Sequence, residues 1–190
     1  MERKKRILYH SNHSKAFTGF GKNAKNILKH LFNTDKYELM ELSNGIPLGH
    51  PEQDKRPWNI MGSMSNNQAR IEQLNKDPNL ARKAGYGHEI IDQAIKEFKP
   101  DIYLGVEDIW AFEGFWDKKW WNKMNCMIWT TLDSLPILPV AVQNASKIKN
   151  YYTWASFAPK ALNEMGHEHV KTLRGSIDTS TFYRLDDGMR

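Results

Sequence analysis

The residues most able to do chemistry sit where short apolar runs give way to polar ones. The first such place is the stretch from Ser11 to Asn23, which follows Ile7-Leu8-Tyr9 and reads Ser-Asn-His-Ser-Lys-Ala-Phe-Thr-Gly-Phe-Gly-Lys-Asn. Gly19 and Gly21 let the backbone come close to a ligand. The helix predicted to follow offers unpaired N–H groups and the positive end of its dipole, a setting suited to phosphate. Gly19, Phe20, Gly21 and Lys22 are therefore the phosphate-binding candidates, with His13 as a hydrogen-bonding neighbour. A Walker A loop would carry glycine at 16 and Ser or Thr at 23. Ala16 and Asn23 stand there, so the hydroxyl that holds magnesium is missing, although the apolar run 102–106 ending in Glu107-Asp108 imitates a Walker B segment. A dinucleotide fingerprint fits with Ala24 in its third glycine place, but the loop is long for that fold. A turn that simply needs two glycines fits the same residues.

Carboxylates form the second group. Glu107 and Asp108 follow one apolar run, and Asp133 follows another at 126–130. At strand ends they can accept hydrogen bonds from the hydroxyls of a bound molecule, while turns and helix caps use the same residues at the same places. The pairs His10-x-x-His13 and His167-x-His169 lack a third ligand at fitting spacing, and Cys126 is the single cysteine, so no metal is expected.

The elements that must position these groups follow from periodicity. Apolar runs at 6–10, 37–43, 101–106, 126–130, 151–154 and 170–173 read as six strands. Amphipathic stretches at 21–32, 88–98, 140–147 and 157–165 read as helices, with a short helical stretch at 115–123. Between 44 and 79 the pattern fails: four prolines, several glycines and Asn66-Asn67 predict an irregular insert. Strands alternating with helices predict an α/β fold, a Rossmann-like, doubly wound, mostly parallel sheet over residues 1–183. In such sheets ligands sit beyond the carboxyl ends of the strands. That draws in His10-Ser11, Glu107-Asp108, Thr131 to Asp133 and Arg174-Gly175.

Composition narrows the class further. With 190 residues, 40% hydrophobic and 12 glycines, the chain can build a core of one domain. The 27 cations exceed the 22 anions by 5, yet apart from Arg3-Lys4-Lys5-Arg6 they are scattered, which excludes a nucleic-acid stripe. One cysteine, no signal-peptide core and no apolar run near the length of a membrane span predict a cytoplasmic protein. Trp116, Trp120 and Trp121 alternate with Lys118, Lys119 and Lys123: the rings fit core or interface positions, and a basic aromatic helix of this kind also fits contact with an anionic membrane surface.

Taken in order, four segments resemble the amino-terminal domain of GT-B glycosyltransferases, the retaining, family 4-like group related to glycogen and sucrose synthases. They are Thr18-Gly19-Phe20-Gly21; Lys99-Pro100-Asp101-Ile102-Tyr103; Thr131-Leu132-Asp133-Ser134-Leu135-Pro136; and Gly175-Ser176-Ile177-Asp178-Thr179-Ser180-Thr181-Phe182. The last resembles a His-Gly-Val-Asp-Thr-x-x-Phe signature at the crossing between two lobes, with Arg174 in the histidine place. The resemblance implies a nucleotide-sugar donor as co-substrate, an acceptor held by this lobe, no metal, and a second lobe or partner chain carrying the Glu-x7-Glu element. It places the donor diphosphate at Gly19 and Gly21 with Lys22 in support, and Asp133 near the sugar. Residues 184–190 would begin the linker, Phe182 would be buried against this lobe, and 185–190 would be loosely held. A non-catalytic module that binds a nucleotide or anionic sugar through the same loop is the alternative expectation.

Overall fold

A computed structural model describes residues 3–185. Strand β1 (Lys5–Asn12) leads through the glycine loop into helix α1 (Gly19–Asn33) and strand β2 (Tyr37–Pro47). Strand β3 (Asn59–Met64) and helices α2 (Gln68–Leu74), α3 (Pro78–Gly85) and α4 (Ile91–Phe98) precede β4 (Ile102–Gly105). The rest runs β5 (Asn125–Thr130), α5 (Pro139–Asn144), β6 (Asn150–Thr153), α6 (Phe157–Glu164) and β7 (Lys171–Thr172).

The strands form one fully parallel sheet of seven in the order β3-β2-β1-β4-β5-β6-β7. Alternation along β1 sends Ile7 and Tyr9 to one face, where Ala24 and Leu28 of α1 cover them, and Leu8 to the other, among Ile91 and Phe98 of α4, Ala141 of α5 and Leu162 of α6. Helices on both faces make this a Rossmann-like, doubly wound α/β fold.

The stretch 44–79 departs from the irregular insert expected of it. It holds β3, a 3-10 turn at Pro51–Asp54 and α2. β3 escapes a periodicity search because it is a short edge strand with two polar residues and a glycine among its six. It exists because β2 bends between Ser43 and Pro47 and presses on it. A Cβ on Gly62 would lie 2.4 Å from the carbonyl oxygens of Ile46 and Pro47, so only glycine fits there.

Two further boundaries differ. α1 starts at Gly19 because the Thr18 hydroxyl accepts the Gly21 N–H at 3.0 Å and caps the helix. The expected helix at 115–123 is instead two 3-10 turns, Phe115–Asp117 and Trp121–Lys123. Left-handed Gly114 begins the first turn, and the buried rings of Trp116 and Trp121 join the core. Trp120 packs on Tyr103 and donates its indole N–H to Asp92. Those rings are engaged in the core, so the exposed side chains of this segment are Asp117, Lys119, Asn122 and Lys123.

Candidate functional site

β1 pairs with β2 on one side and β4 on the other, so the sheet reverses its winding between β1 and β4. The carboxyl ends of these strands carry the glycine loop and Glu107-Asp108, as the sequence expects.

The loop is fastened from three sides. Asn12 Nδ2 donates to the Thr18 hydroxyl at 3.0 Å. Glu41, buried on β2, accepts the Ser14 N–H at 2.7 Å, the Ser43 hydroxyl at 2.8 Å and the Trp58 indole N–H at 2.8 Å. Arg56 donates to the Ser14 hydroxyl and carbonyl at 3.1 and 2.9 Å, and Lys15 pairs with Glu52 at 2.6 Å.

The two glycines differ in role. A Cβ on Gly21 would lie 2.4 Å from the Ala16 carbonyl oxygen and 2.9 Å from that of His13, so this glycine serves the loop's own close packing. Gly19 is exposed and a Cβ there meets nothing within 4 Å. With Thr18 engaging the third N–H of the helix, those of Gly19 and Phe20 at the open start have no intrahelical acceptor. Phe20 packs edge-on against Trp154 at 5.6 Å. The Lys22 ammonium lies over the ring of Phe17, 4.2 Å from its centroid, and Phe17 itself is 92% exposed. His13 is buried with its Nδ1 accepting from the Lys15 N–H at 3.3 Å and its Nε2 without a partner among the described residues. Burial holds its pKa below the ordinary value.

Glu107 is 3% exposed and turns inward. Burial pushes its carboxyl up to about 7, aided by the charge of Asp108, while Asn44 and the backbone N–H groups of Asp108 and Asn12 pull it down. Asn44 Nδ2 donates to Glu107 at 3.2 Å, and Asn44 Oδ1 meets His10 Nε2 at 2.8 Å. His10 Nδ1 meets the Tyr103 hydroxyl at 2.9 Å. His10 is wholly buried, and burial lowers its pKa to about 3, so it stays neutral. Left-handed Gly87 closes this nest: a Cβ there would stand 3.0 Å from His10 Nε2.

Asp108 instead accepts from the Thr131 hydroxyl. A pocket of about 170 Å3 joins it to Trp110, Thr131, exposed Asp133 and Ser134. The structure thus brings Asp108 and Asp133 together and separates both from the inward-facing Glu107. Arg174 is exposed beyond β7, the far edge of the sheet from β3. Asn44, Tyr103, Trp110 and Ser134 are not among the site residues expected from the sequence. Asn44 lies in the stretch that reads as an irregular insert, and the alternation along the strands could have placed Tyr103 on the face of His10.

The signature-like segment behaves in two ways. Asp178 accepts from the Ser180 N–H at 3.0 Å and hydroxyl at 2.6 Å, and its carbonyl accepts from Phe182 N–H at 2.8 Å, as a capping aspartate does. Phe182, expected to be buried, is 58% exposed, because the chain leaves the sheet after Gly175-Ser176. Of the tail expected to be loosely held, Leu185 is exposed and 186–190 lie outside the described residues.

Among the described residues no helix is long and apolar enough to cross a membrane, and no three His, Cys, Asp or Glu side chains gather as a metal site. No family model matches the sequence, and no curated protein matches it. The chain is similar to a solved structure, UDP-GlcNAc 2-epimerase from Methanocaldococcus jannaschii, at 10% identity and a TM-score of 0.44, over 88% of this chain and 44% of that one. It thus spans less than half the length of that protein. The class of the molecule, a Rossmann-like α/β module with an open helix start at its switch point, rests on its own sheet order and loop.

Proposed function

We propose that this chain is the acceptor-side domain of a glycosyltransferase that moves a sugar from a nucleotide-sugar to a hydroxyl-bearing acceptor in the cytoplasm. The observation that carries the reading is the unobstructed helix start at Gly19, where N–H groups and the helix dipole are offered to a diphosphate at the crevice between β1 and β4. In this reading the pocket between Asp108 and Asp133 receives acceptor hydroxyls, and Asp133 orients the acceptor. The base and sugar of the donor are held by a second lobe or partner chain, so this chain alone has little transferase activity and no metal takes part.

The test is a titration with UDP, GDP and their hexose conjugates, followed by backbone amide resonances. Shifts confined to Gly19, Phe20 and their loop, with affinity no better than roughly millimolar, about 4 kcal/mol, are expected. Silence of those amides toward every diphosphate overturns the reading. Micromolar affinity overturns the division of the site and supports a self-sufficient binding module, a reading that the exposure of Phe182 also favours.

A further inference from the structure

The edge of the sheet opposite the cleft, where the chain enters β1, β4, β5 and β6, surrounds a groove of about 570 Å3. This lies within the range of small-molecule sites, about 300 to 1,000 Å3. Its lining is predominantly polar and includes Lys5, Lys123 and Lys149, together with the amides of Asn122 and Asn125. Among the described residues, the single carboxylate in the lining is Asp101. Arg3 grips it through two bonds of 2.7 and 2.8 Å, and the Arg6 N–H adds a third at 2.8 Å. Its charge is therefore answered before the lysines are counted.

In the segments that border the groove in sequence, Lys118 is paired with Asp92 and Lys147 with Asp117. Lys5, Lys123 and Lys149 have no ion-pair partner among the described residues. Three like charges that share a concave surface repel one another and focus a positive potential into it. A compact multiply charged anion relieves that repulsion. Lysines suit phosphate as point charges from several directions, whereas a planar carboxylate prefers the fork of arginine.

We propose that this groove binds a phosphate-bearing anion of two or more negative charges, at a site separate from the Gly19 helix start. The ligand is a soluble oligophosphate or a phosphorylated lipid headgroup, which present the same groups to the three lysines. The inference stands without the glycosyltransferase reading.

Inorganic tripolyphosphate is the probe for the soluble source, followed through the side-chain amides of Asn122 and Asn125 and, separately, through the Gly19 and Phe20 N–H groups. The groove amides should shift, and the variant K5Q/K123Q/K149Q should bind at that place at least about tenfold more weakly while any response at Gly19 is unchanged. All three lysines are exposed, so the variant keeps the fold, which its melting temperature verifies. Vesicles of phosphatidylinositol 4-phosphate in phosphatidylcholine, compared with phosphatidylcholine alone, form the second arm. Sedimentation with the anionic vesicles that the variant loses assigns the headgroup as the source, and tripolyphosphate binding without sedimentation assigns the soluble one. Unmoved groove amides together with no lysine-dependent sedimentation overturn the proposal. So does equal binding by the variant in both arms, or binding of a DNA oligonucleotide alone.

Discussion

Glu107 accepts the amide N–H of Asn44 at 3.2 Å, and the oxygen of that same amide faces His10 Nε2 at 2.8 Å. Because an amide oxygen only accepts, the assigned network puts the imidazole proton on Nε2 and leaves Nδ1 to accept from the Tyr103 hydroxyl. A buried neutral histidine thus helps orient a carboxylate whose own ionisation has moved toward neutrality.

The two groups give opposite pH dependences. Glu107 has a folded pKa of about 7 against an ordinary 4.5, so its contribution to stability is full below pH 4.5 and is lost as pH rises through about 7. His10 has a folded pKa of about 3 against 6.5, so its contribution is full above pH 6.5 and is lost as pH falls toward 3. The variant Glu107→Gln removes the first dependence and keeps the second. Its stability relative to the parent should rise by about 3 kcal/mol between about pH 4.5 and 8, measured from urea midpoints. A difference that does not change with pH would show that Glu107 is not the titrating group.

Asn44→Ala removes both halves of the link and leaves the His10 N–H and Glu107 short of a partner. A cost of about 2 to 3 kcal/mol is expected. Because the Asn44 bond favours the charged carboxylate, its loss should also move the Glu107 titration upward, seen in the pH profile of stability or in the carboxyl carbon resonance. A destabilised variant with an unmoved titration would make Asn44 a packing residue only.

Gly19 and Gly21 should separate cleanly. Gly21→Ala puts a methyl group 2.4 Å from the Ala16 carbonyl, a backbone atom that Glu41, Arg56 and Thr18 hold in place through the loop. A loss of about 3 kcal/mol or more is expected in thermal or urea unfolding. Gly19→Ala meets open space and should leave stability within about 0.5 kcal/mol of the parent, while weakening any diphosphate response at the helix start. Equal stability of the two variants would contradict the loop geometry.

How far the sequence could be read follows from which signals are local. β1 and α1 declare themselves through Ile7-Leu8-Tyr9 and the stripe Ala24, Ile27, Leu28 and Leu31, because burial on one face repeats at the strand or helix period. The glycine loop was visible for the same reason, as a break between two periodic runs. β3 was not, since an edge strand needs only one packed face and Gly62 is dictated by the carbonyls of Ile46 and Pro47 on β2, beyond the reach of a local period. The partners of Glu107 were hidden in the same way. Asn44 lies 63 positions from it, and only the pairing of both β2 and β4 with β1 brings the two side by side.

The segment after β7 offers the last test, because two of its residues carry opposite expectations. Gly175 lies flat on Trp154, so a Cβ there would stand 2.8 Å from Cε3 and Cζ3 of the indole. That ring is half-buried and flanked by Phe20 at 5.6 Å and Trp129 at 5.4 Å, which limits its retreat. Gly175→Ala should therefore lift the chain away from the sheet, breaking the 3.3 Å contact of the Ser176 hydroxyl with Asn23 and exposing Trp154. About 1 to 2 kcal/mol of destabilisation and a red-shifted tryptophan emission are expected. Phe182→Ser, at a position already 58% exposed, should change stability by less than about 0.5 kcal/mol and leave the emission alone. If the serine variant proves the more damaging of the two, the segment is anchored at Phe182 in solution and its packing differs from that described.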